Sequence, residues 1–135
     1  MIQFYFLSIV CNTLAGYALT RNTDDLDDIA RQAPFTLSAH NLPFRLLLGL
    51  LSLVTGLFKL LSAIDLPFAG DLIPALTGIG SGLLLLYDYY AKTSTLTTAS
   101  KLGSFLTEKN TKKGFGVWSC AIAALHFLFP EMLLF

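Results

Sequence analysis

RLLLGLLSLVTGLFKLLSAID, residues 45–65, runs from Arg45 to Asp65 with Lys59 as the single charge between them. A helix rises about 1.5 Å per residue, so residues 46–64 come close to crossing a hydrocarbon core of about 30 Å. Three further tracts read the same way: 2–19, 72–90 and 115–134. The third carries Tyr87, Asp88, Tyr89 and Tyr90 at its end, where amphipathic rings suit the headgroup level. The fourth has Trp118 near one end and Pro130 and Glu131 near the other.

Composition agrees with these tracts. Of 135 residues, 54% are apolar and 13% charged, against about 45–50% and about 25% in soluble proteins. A soluble enzyme domain is excluded, because such a chain would cover an aqueous surface with apolar groups. Nine Lys and Arg balance nine Asp and Glu, which leaves no basic excess for nucleic acid. The apolar runs are continuous rather than alternating, so a β-barrel is excluded too. The expectation is an all-α integral membrane protein, one domain over residues 1–135. It is a four-transmembrane-helix bundle with short amphipathic helices in the two long loops, 20–45 and 91–114.

The basic residues orient it. Arg21, Arg31 and Arg45 fall in the first long loop, and Lys92, Lys101, Lys109, Lys112 and Lys113 in the second. By the positive-inside rule both loops are cytoplasmic and both termini outside, in a bacterial cytoplasmic membrane. The first span lacks a preceding Lys or Arg and is long for a signal-peptide apolar region, so it is expected to be retained. In loop 20–45, Thr23 can cap a helix whose first turn holds Asp24, Asp25, Asp27 and Asp28, where a helix dipole favours negative charge. In loop 91–114, Leu96, Ala99, Leu102, Phe105 and Leu106 recur at helical spacing. Lys101, Lys109, Lys112 and Lys113 there are expected to meet anionic lipid or the acidic loop.

Small residues recur at four-residue steps: Ser8, Asn12 and Gly16; Ser52 and Gly56; Gly78 and Gly82; Gly116 and Cys120. Such steps let helix backbones approach closely in lipid. A repeated layout of helix, long loop, helix and short link suggests two halves, spans one and two against spans three and four.

Polar groups inside spans are costly and therefore functional candidates. These are Asn12, Lys59, His126 and Glu131. Lys59 is expected to snorkel to the headgroups, and His126 is a candidate either for a proton-exchanging group or for a cofactor ligand. No cofactor or metal is expected. There is no Cys-x-x-Cys, His40 and His126 make no metal-spaced set, and no phosphate-cradling loop or Ser, His and acid arrangement is present.

Arg45 to Gly49, followed by Thr55-Gly56-Leu57-Phe58-Lys59, resembles the opening helix of the DoxX-like family, small four-helix bacterial membrane proteins. The resemblance implies a part in redox or stress-related membrane assemblies. It covers about a third of the chain and falls here on the second span. From the residues themselves the leading expectation is a non-catalytic membrane protein, a homo-oligomer or an accessory subunit of another membrane protein, packing through its small-residue faces. The alternative is a transporter or channel for a small solute or ion.

Overall fold

The computed structural model describes residues 2–21, 41–62, 72–94 and 101–129. Regular structure there is entirely helical: α1 (Ile2–Thr20), α2 (Leu42–Ser62), α3 (Leu72–Thr93), α4 (Lys101–Thr107) and α5 (Lys109–Leu128). Two stretches, Leu42–Leu61 and Leu72–Thr93, are long and apolar enough to cross a membrane, and Tyr5–Thr20 is a shorter apolar helix.

Two helices start earlier than the apolar tracts suggest. The Arg45 N–H donates to the Asn41 carbonyl at 3.0 Å, so α2 begins around Pro43, whose fixed φ suits a first turn. Arg45 is thereby inside the helix rather than at its flank. Likewise the Lys112 N–H donates to the Glu108 carbonyl at 3.1 Å, which brings Lys109, Lys112 and Lys113 into the first turns of α5. That helix ends at Leu128, two residues before Pro130, as expected of a residue type that disfavours helix before it. In the second long loop the expected amphipathic segment is the single short helix α4. Its Phe105 is exposed, while Leu106 packs with Phe115 on the core. Leu96, Ala99, the helix expected around Thr23 with Asp24, Asp25, Asp27 and Asp28, and Glu131 all lie outside the described residues, as does the Lys101 side chain.

The helices pair differently from the expected halves. α2 packs on α3, and α1 packs on α5, the first helix on the last. Both pairings follow from the small residues. A methyl group added at Gly16 would lie 2.7 Å from the Gly116 carbonyl oxygen, and one at Gly116 2.6 Å from the Gly16 carbonyl oxygen. Similarly, a methyl at Gly56 would lie 2.8 Å from the Ala75 oxygen and one at Gly82 2.7 Å from the Gly49 oxygen. Backbones this close exclude any side chain at these positions. Gly78 sits against Ser52 and Asn12, and Ser8 is buried on α1. Ser8, Gly16, Ser52, Gly56, Gly78, Gly82 and Gly116 are thus buried within their own chain, and Cys120 is half-buried.

The packed apolar cluster is small: Ala15, Ala18, Leu19, Leu48, Leu84 and Leu85. Outside, α2 alone exposes Leu46, Leu47, Leu50, Leu51, Val54, Leu57, Phe58 and Leu61. In water each would forgo about 1.5–3 kcal/mol of burial. The bundle is apolar outside, and within it this apolar cluster is packed beside buried polar side chains.

Candidate functional site

The interior line of α2 is Arg45, Gly49, Ser52, Gly56 and Lys59, at alternating steps of four and three residues. At roughly 100° per residue these five fall within an arc of about 80°, and all are buried. They include the Arg, Gly, Gly and Lys that carry the family resemblance. Across from them α3 presents Pro74, Thr77, Ser81 and Asp88, also buried.

At one end of the bundle Arg45 and Asp88 are each about 2% exposed. The Arg45 Nη2 donates to the Asp88 carboxylate at 3.0 Å, and its Nη1 donates to the Ala18 carbonyl of α1 at 2.7 Å. Lys112 of α5 donates to the other Asp88 oxygen. One carboxylate therefore bridges two cations from two helices, and all four long helices meet at this point.

The middle layer is built of hydroxyls and amides. The Asn12 side-chain amide donates to the Pro74 carbonyl at 3.1 Å. Ser119 donates to the Asn12 backbone carbonyl at 2.9 Å. Ser52 donates to the Gly78 carbonyl at 3.1 Å and lies 3.3 Å from the Ser81 hydroxyl. Cys11 Sγ and Thr55 Oγ1 are 3.9 Å apart.

At the far end Lys59 Nζ lies 2.7 Å from His126 Nε2, with the two residues 4% and 1% exposed. Tyr5 closes over both. Its hydroxyl donates to the His126 carbonyl, its ring centroid is 4.6 Å from that of His126, and Lys59 Nζ lies 5.5 Å from the Tyr5 centroid. Lys59 thus points into the bundle, not outward to headgroups, because the register of α2 aligns it with Ser52 and Gly56. A 2.7 Å contact between two nitrogens needs a lone pair on one of them, so the amine and the imidazole do not both carry their full complement of protons while it lasts.

Of the four polar residues picked out from the sequence, Asn12, Lys59 and His126 all face the interior, and Lys59 meets His126. Lys109 and Lys113 are exposed, as a headgroup-facing role requires, whereas Lys112 is turned inward to Asp88. Sequence reasoning missed Arg45 and Asp88, treating one as a span boundary and the other as part of an interfacial tyrosine cluster. The seven-residue step from Ser81 to Asp88, and the alignment of Arg45 with Lys59, were the signals available. Among the described residues no three His, Cys, Asp or Glu side chains gather as metal ligands. Cys11 and Cys120 are free thiols.

An uncharacterized protein of Treponema pallidum (strain Nichols) is 36% identical over 135 residues, covering 98% of each chain. A protein-family model matches residues 1–126. No solved structure matches.

Proposed function

The chain belongs to one family with that Treponema pallidum protein, and we propose that it is a four-span integral membrane protein that moves protons, or a small solute with them, through its polar interior. The four spans are α1, α2, α3 and α5. Both termini are outside, and the ends bearing Arg21, Lys92, Lys109 and Lys113 are cytoplasmic. The observation that carries the reading is the Lys59–His126 contact. Two ionisable side chains from different helices are held together, out of solvent, in a bundle whose exterior is apolar. Such groups are expensive at membrane depth and are retained where they are used.

A subunit that docks through small-residue faces has less support. Ser8, Gly16, Ser52, Gly56, Gly78, Gly82 and Gly116 are occupied within the chain, so an assembly has only the apolar outer faces to use. Those faces suit lipid, and Lys109 and Lys113 suit anionic headgroups beside them.

The test is proton flux into liposomes carrying the protein, read by a trapped pH-sensitive dye under an imposed potassium potential. Protein-dependent flux is expected, falling at least tenfold in Lys59→Met and in His126→Phe while the unfolding temperature in detergent stays within a few degrees. Flux equal to that of protein-free vesicles, or flux indifferent to both substitutions, overturns the proposal.

A further inference from the structure

The seams of this bundle differ in kind. Within the α2–α3 pair and within the α1–α5 pair, glycines bring backbones so close that a single added methyl would collide. Such interfaces have one fit and resist sliding. Between the pairs the contacts are made by side chains: an apolar cluster of Ala15, Ala18 and Leu19 with Leu48, Leu84 and Leu85, and a set of polar contacts spaced along the seam. Lys59 reaches His126 at one end. Asn12 reaches the Pro74 carbonyl, and Cys11 faces Thr55, at the middle. At the other end Lys112 reaches Asp88 and Arg45 reaches the Ala18 carbonyl.

The two end contacts are also backed up within their own pairs. When Lys112 leaves, Asp88 keeps Arg45, which belongs to the same pair. When Lys59 leaves, Tyr5, again of the same pair, still holds the His126 backbone carbonyl and packs against its ring. Opening the Lys112 end therefore leaves the buried carboxylate paired, avoiding the outcome that makes breaking a buried ion pair so costly, and opening the Lys59 end parts one nitrogen–nitrogen contact while Tyr5 holds the histidine in place. The ends are 14 residues apart along α2, about 21 Å at about 1.5 Å per residue, with Asn12 between them.

We infer that the seam between the α1–α5 and α2–α3 pairs is the transport path, and that the Lys59–His126 and Lys112–Asp88 contacts are its two gates, opened in alternation as the pairs rock about the Asn12–Pro74 level. This rests on the transport reading above, yet it has a readout of its own. Spin labels are placed on exposed positions across the seam, Leu61→Cys with Phe127→Cys at one end and Tyr90→Cys with Lys113→Cys at the other. The background is Cys11→Ser with Cys120→Ser, and distances are measured by pulsed electron resonance in lipid nanodiscs.

Lys59→Met is expected to lengthen the first distance by several ångströms and leave the second. Lys112→Met is expected to do the reverse, even though Arg45 still reaches Ala18. The swapped variant, Lys59→His with His126→Lys, restores the first distance. Distances that do not move, or that lengthen together at both ends, overturn the gating inference. Gate movements seen in protein that carries no protons would sink the transport reading alone, whereas proton flux through a bundle with fixed distances would sink the gates alone.

Discussion

Lys112 and Lys113 are adjacent in sequence and opposite in circumstance. The first lies against Asp88, with its side chain 15% exposed, and the second stands in the open. Asp88 is the hinge of the difference, since it serves Arg45 and Lys112 together. Removing it leaves a buried guanidinium with its positive charge uncompensated, a loss that costs about 3–5 kcal/mol where a buried pair is broken from one side. Asp88→Ala is therefore expected to lower stability by about that amount. Lys112→Met should cost less, because Arg45 still neutralises the carboxylate, and Lys113→Met should fall within about 0.5 kcal/mol of the parent. Denaturant unfolding in detergent micelles checks the order; equal effects at Lys112 and Lys113 would contradict the assigned geometry. The costly nature of Lys59 and His126 was legible from the sequence, since both interrupt apolar runs. Arg45 and Asp88 were not, because a charge at the margin of an apolar run looks like a flank until the helix start is known. Four extra residues at the beginning of α2 turn Arg45 from flank to interior.

Between elements, the four-residue steps of small side chains were readable as packing faces, and glycines from these steps lie where helix backbones approach most closely. Their partners were not readable. Gly16 on Gly116 joins residues a hundred positions apart, and nothing in either local pattern distinguishes such a partner from a second copy of the chain. The short link between α2 and α3 did make those two antiparallel neighbours, but a repeated layout of long and short connections misleads about α1 and α5. Two glycines on α5 separate packing from composition. A methyl added at Gly116 meets the Gly16 carbonyl oxygen at 2.6 Å, whereas one at Gly114 meets nothing within 4 Å. Gly114→Ala is expected to stabilise by about 0.5–1 kcal/mol through the ordinary alanine preference of helices. Gly116→Ala is expected to destabilise by about 1–3 kcal/mol as α1 and α5 are pushed apart. Thermal unfolding of the two variants, one turning up and the other down, checks that the α1–α5 seam is the one described.

Across the whole molecule, the exposed charges among the described residues collect at one end of the helices, with the amphipathic rings of Tyr17 and Tyr90 beside them. Arg21 follows α1 and lies 5.6 Å from the Tyr17 ring centroid, Lys92 and exposed Tyr90 close α3, and exposed Lys109 and Lys113 open α5. At the other end of α5, exposed Leu125, Phe127, Leu128 and Phe129 carry no charge among them. Amphipathic rings beside Lys and Arg mark a membrane boundary, and the basic side is the one retained in the cytoplasm. The same arrangement is repeated on three helices, because α1 and α3 end where α5 begins. A single-cysteine series in a Cys11→Ser, Cys120→Ser background tests it in intact cells. Lys92→Cys, Lys109→Cys and Lys113→Cys are expected to resist a membrane-impermeant maleimide until the cells are permeabilised, and Phe129→Cys to react at once. Reaction of all four from outside would place the basic end on the wrong face for the positive-inside rule. Reaction of Lys92→Cys and Lys109→Cys from opposite faces would be worse for the structure, since α3 ends and α5 begins on one side of the bundle only if Asp88 and Lys112 meet there.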